Sequence, residues 1–169
     1  MKRWNFTDTV RNGVLAGAAG GLAEVLWVSF YAMATGGDAA ALARGVTTAA
    51  GVNALLPATS TTLGIVIHMV LALALGVALA FAWRAVSDRR RDGAAPYGLM
   101  MFALAGVWVI NFFILLPAIS PAFVYLLPYP VSLVSKLLFG LAAAEVFRRF
   151  SRESIVPQTS RIEVFGRRK

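Results

Sequence analysis

Residues 130–150, PVSLVSKLLFGLAAAEVFRRF, form an apolar run of about the length that crosses a bilayer as a helix, with Lys136 inside it. A charge at that depth is costly in hydrocarbon, so such residues turn toward neighbouring helices or a polar cavity and pair with the opposite charge. The fold must therefore bring Lys136 a partner from elsewhere in the chain. Composition agrees with a membrane setting. A hydrophobic content of 59%, a charged content of 14% and a mean hydropathy of +0.72 are too apolar for an ordinary soluble domain, and 169 residues suit one compact group of helices. The chain has no cysteine, which excludes disulfides, iron–sulfur clusters and thiolate metal sites.

Three further apolar runs accompany the first, so the sequence predicts an all-α membrane protein: a four-helix transmembrane bundle with short loops, spanning at about residues 12–35, 61–83, 97–116 and 130–150. Residues 1–150 would form the membrane domain and residues 151–169 a basic tail. The first run follows Lys2, Arg3 and Arg11 and ends in Ala32-Met33-Ala34, which looks like a signal-peptidase site. Its apolar stretch is longer than a signal core and carries Glu24 in its middle, so it is expected to stay attached as a span. Between the first two runs, DAAALARGVTTAAGV suits a short surface helix with Asp38 near its N-cap. Residues 117–130, PAISPAFVYLLPYP, have four prolines and no charge. They read as a re-entrant or interface-lying segment with Phe123, Tyr125 and Tyr129 at headgroup or partner level.

Orientation follows from the cations. Four spans with both termini cytoplasmic place fourteen of the sixteen basic residues on one side, leaving Arg44 outside and Lys136 within the membrane. The net charge of +8 is thus a topology signal, and no nucleic-acid partner is expected. The tail with Arg161, Arg167, Arg168 and Lys169 would rest on anionic lipid or on a partner protein.

Topology turns sequence position into depth. Counted from the outer helix ends at about 1.5 Å per residue, Lys136 lies roughly 9 Å down, His68 roughly 10 Å, Asn111 roughly 8 Å and Glu24 roughly 15 Å. Four polar groups from four helices therefore share the outer half of the bilayer. The simplest arrangement is a buried Glu24–Lys136 ion pair with His68 and Asn111 adding hydrogen bonds and Ser132 on the Lys136 face. Gly13, Gly17 and Gly21 recur every fourth residue, and Gly13 and Gly17 lie within about 20° of Glu24 on a helical projection, Gly20 within about 40°. That places Glu24 on a close-packing face, away from lipid. Gly64 and Ala72 flank His68 in the same way, and Gly140 lies one turn from Lys136. Glu145 points the other way, and Arg148 and Arg149 suffice to pair it.

Catalytic signatures are missing: no GxSxG, HExxH, Walker A loop, GxGxxG before a helix or intramembrane aspartate pair occurs. Ser132 and Lys136 have the spacing of a serine–lysine dyad, but serine is a common packing residue in membrane helices. The chain is therefore expected not to be an enzyme. A single histidine cannot supply bis-histidine haem ligation, Met69 cannot face the same side as His68, and Met100 and Met101 lie near the inner end. No intrinsic cofactor or metal is expected. A haem or metal contact through His68 would serve a cofactor held by a partner subunit.

In general build, the chain resembles accessory subunits and assembly factors of larger membrane complexes, a likeness of type only. The expectation is a non-catalytic accessory or structural subunit, or an assembly factor, of a larger complex in the bacterial cytoplasmic membrane, in electron transport for instance, packed through its glycine faces. The alternative is a small proton-linked transporter or channel, as a homo-oligomer, working through Glu24, His68, Asn111 and Lys136.

Overall fold

The computed structural model describes residues 5–52, 60–87 and 95–153. Among these the chain has helices and no strand: α1 (Phe6–Thr35), α2 (Ala39–Ala49), α3 (Ser60–Ser87), α4 (Ala95–Ile110), α5 (Leu116–Ile119) and α6 (Tyr129–Glu153). Four segments are long and apolar enough to cross a membrane, Phe6–Thr35, Ser60–Val86, Pro96–Ile119 and Tyr129–Phe150. They coincide with the four apolar runs, with bounds moved outward. The charged turn Arg89–Arg91 and the tail residues Arg161, Arg167, Arg168 and Lys169 lie outside the described residues.

Capping explains the longer first span. Asn5 accepts the Asp8 N–H on its side-chain oxygen at 2.7 Å and so starts α1 at Phe6 rather than at residue 12. The polar residues of that first stretch then become interior, with Thr9 and Asn12 both buried. Gly36, at φ 69°, closes the helix in the left-handed conformation that glycine adopts without strain. The expected surface helix is present as α2, with Asp38 as its N-cap accepting from the Ala40 N–H at 2.8 Å.

The third span differs from expectation at its end. A π-turn over Asn111–Leu115 joins α4 to α5, and the Leu116 N–H reaches back to the Asn111 carbonyl. Pro117 has no N–H to donate, so the wider turn lets the helix continue through it to Ile119. Only Ser120–Pro128 remains as the link to α6, one 3₁₀ turn over Pro121–Tyr125. The segment expected to be re-entrant or interface-lying is thus shortened at its start, where Pro117–Ile119 continue the third span.

The spans pack pairwise in the order α3, α1, α6, α4, and α2 lies against the start of α3. Helix α1 is the common neighbour, and small residues explain how. A Cβ on Gly76 of α3 would run into the backbone of Gly13 and Gly17, and one on Gly17 would sit 2.7 Å from the Leu73 Cα. Backbones this close leave room for nothing larger than hydrogen. On the other side of α1, Gly20 takes the face of Phe139, while Gly140 of α6 lies against the Met100 carbonyl of α4. Gly64, expected on the packing face of His68, instead receives Ala43 of α2. Phe139, Phe147, Met100 and Leu104 are fully buried, and with Ala16 of α1 and Leu79 and Trp83 of α3 they join all four spans into one apolar core.

Contacts at one end fix the relative directions. Phe6 of α1 meets Phe81 of α3 at 5.7 Å between centroids, Arg11 lies 5.6 Å over the Phe150 ring of α6, and the Tyr97 hydroxyl of α4 donates to Glu145 at 2.5 Å. The start of α1, the end of α3, the start of α4 and the end of α6 therefore share one end, and Arg11, Arg148 and Arg149 gather there.

Candidate functional site

The register set by the glycines carries Glu24 to the point where α1 meets both α3 and α6. On the α3 side Ala72 seats against Gly17 and Gly21, which brings His68, one turn earlier on the antiparallel helix, level with Glu24. On the α6 side two contacts bracket the same level: Gly20 receives Phe139, and Trp27 donates its indole N–H to the Val131 carbonyl at 3.0 Å. Lys136 falls between them.

Glu24 is 3% exposed, and its two oxygens divide the neighbours. Oε1 accepts from the Lys136 ammonium at 2.6 Å and from the Ser135 hydroxyl at 3.4 Å. Oε2 faces His68 Nε2 at 3.7 Å, too long for a hydrogen bond. Among the described residues Nε2 has no hydrogen-bond partner although it is buried. The Lys136 ammonium also lies 6.0 Å over the Phe139 ring, within cation–π range. One carboxylate on α1 thus joins α6 directly and confronts α3, and α3 and α6 do not themselves pack extensively on each other.

Of the five residues expected to cluster, the structure brings together Glu24, His68 and Lys136. Asn111 opens the π-turn and makes no hydrogen bond to these three among the described residues. Ser132 serves another junction: its hydroxyl accepts from the Trp108 indole at 2.9 Å and donates to the Tyr129 carbonyl at 2.9 Å, fastening α4 to α6. Ser132 and Lys136 consequently point to different partners, so no dyad forms. The sequence pattern does not single out Ser135 or Trp27. A signal for Ser135 existed: it lies on the buried stripe of Ser132, Phe139 and Ala143, at helical spacing.

Glu145 behaves as expected and has one further partner. It accepts from Arg148 at 2.6 and 2.8 Å and from Arg149 at 2.7 Å, in addition to Tyr97. Among the aromatic residues expected at the interface, Tyr125 is 88% exposed, Tyr129 stacks on Phe113 at 5.5 Å, and Phe123 is half-buried against Gly45 of α2. Between α2 and the 3₁₀ turn lies an open hollow of about 250 Å³ lined by Arg44, Thr48, Ser120 and Phe123 among others. Beside it Arg44 bonds Asp38 at 2.6 Å, and the guanidinium holds the Asp38 carboxyl below the usual carboxylate range. Among the described residues no three histidine, aspartate or glutamate side chains stand together as a metal ion would need.

Four apolar helices knit by glycine contacts around a buried ion pair define an all-helical membrane protein. Compared with protein-family models, curated proteins and solved structures, the chain has no match in any of the three.

Proposed function

We propose that this chain is a non-catalytic subunit, accessory or structural, of a larger assembly in the bacterial cytoplasmic membrane, with both termini on the cytoplasmic side. One observation carries the reading. Lys136 and His68 keep 18% and 26% of their side chains exposed beside Glu24, at a level where an isolated chain would press them against hydrocarbon. Charged and imidazole groups at that depth require polar cover, and a neighbouring protein surface provides it at least cost. An electron-transport complex would be a natural setting, since its cofactors could then lie beside His68. The glycine faces expected to meet a partner are occupied within the chain. The partner-facing surface is therefore the side of the polar cluster and the outer turn around Tyr125.

Paired replacements in cells test this role. If the cluster fixes the shape that the partner recognises, Glu24→Leu or Lys136→Leu alone abolishes co-assembly, while the double replacement restores both assembly and function. A double variant that assembles and is inactive would contradict the subunit role and favour the proton-linked transporter.

A further inference from the structure

The Glu24–Lys136 pair is electrically complete without His68, yet the imidazole is held against it. Nε2 is buried, lacks a hydrogen-bond partner among the described residues and faces Glu24 Oε2 at 3.7 Å. The other ring nitrogen bonds the Gly21 backbone, so the neutral ring keeps its N–H there and Nε2 is bare; two lone pairs then oppose each other across a low-dielectric gap, which is unfavourable. A proton on Nε2 reverses the sign: the N–H donates to Oε2, and Glu24 then bonds both of its flanking helices.

We propose that His68 Nε2 and Glu24 Oε2 form a specific binding site for one exchangeable proton, whose occupancy decides whether α3 is fastened to the Glu24–Lys136 pair. The proton comes from water and adds to the Nε2 lone pair to give imidazolium. No covalent bond other than N–H forms. The charged groups around the site are few. Helix α1 presents Glu24 and α6 presents Lys136. Helix α2, packed on α3 nearer its start, carries Arg44 already bonded to Asp38. Proton uptake on His68 sets imidazolium and ammonium on opposite oxygens of one carboxylate, so Glu24 shields the two cations from each other.

The site lies in the cluster on which the subunit reading rests, but it is tested on the isolated protein, independently of any assembly. The chain has a single histidine, so ¹⁵N-histidine labelling gives one pair of ring signals that needs no assignment by mutation. The full chain in lipid nanodiscs is titrated from pH 9 to 5 while the ring nitrogens are followed by NMR and the carboxylate bands by infrared difference spectroscopy. The expected result is one reversible ring titration, a Glu24 carboxylate band that shifts at the same midpoint, and loss of that band shift in His68→Gln. Glu24→Asp, which withdraws the carboxylate by one methylene, should lower the midpoint by about half a pH unit or more. A ring that does not titrate in the folded protein overturns the proposal. So does a ring titration that leaves the carboxylate bands unmoved in the wild type, a measurement that stands even if the aspartate variant does not fold.

Discussion

Glu24 is the residue on which most depends, because one buried carboxylate organises groups on three helices. Removing a single member of a buried ion pair leaves the other charge unpaired and typically costs about 3–5 kcal/mol, whereas removing both avoids that penalty. Lys136→Leu and Glu24→Leu should each destabilise the purified protein by about that amount, and the double variant by clearly less than the sum; unfolding in mild detergent measures it. Strict additivity would mean that the two groups do not interact. Trp27→Phe should cost about 0.5–1.5 kcal/mol in the same assay by freeing the Val131 carbonyl. The ion pair was legible in the sequence because depth and sign together left Lys136 few possible partners. Asn111 and Ser132 show where that reasoning stops. Depth fixes the level of a residue but not the direction in which it points, and Ser132 shares the level of the cluster while facing Trp108.

At the scale of elements, apolar runs located all four spans, and capping and turn chemistry set their ends. The Asn5 cap and the π-turn ahead of Pro117 lengthened the first and third spans, and neither alters the hydropathy pattern from which spans are read. The glycine repeat correctly marked α1 as a close-packing helix, but its partner, Gly76 on α3, is visible only once the helices are placed in register. Gly76→Val forces a side chain into the Gly13–Gly17 backbone and should cost at least about 1–3 kcal/mol, loosening α1 from α3; the same substitution at Gly106, where a Cβ meets nothing, should be tolerated. Helix α2 has a pH dependence of known sign. The Arg44 guanidinium lowers the Asp38 pKa, so the cap contributes fully above the ordinary carboxylate range, near pH 4, and is lost as pH falls through the lowered folded value. Hydrogen exchange at Ala40 and Ala41 should accelerate relative to the intrinsic acid rate only below that range, and Arg44→Gln should move the onset to higher pH.

For the whole molecule, contacts at one end gather Arg11, Arg148 and Arg149, while Arg44 belongs to α2, which packs against the start of α3 at the opposite end. This is the charge asymmetry that the positive-inside rule converts into orientation. The natural chain has no cysteine, so single replacements report cleanly: Arg149→Cys should react with an impermeant thiol reagent only from the cytoplasmic side, and Arg44→Cys only from outside. Function was the least legible property, because a buried ion pair that holds helices together and one that conducts protons use the same residue types. The incompletely covered Lys136 and His68 favour a neighbour. The most direct measurement is the mass and composition of the particle extracted from native membranes in a mild detergent. Co-migration with a larger complex in fixed stoichiometry is the expected result. A free monomer or a homo-oligomer alone would contradict the subunit assignment and make proton flux in liposomes the assay that matters.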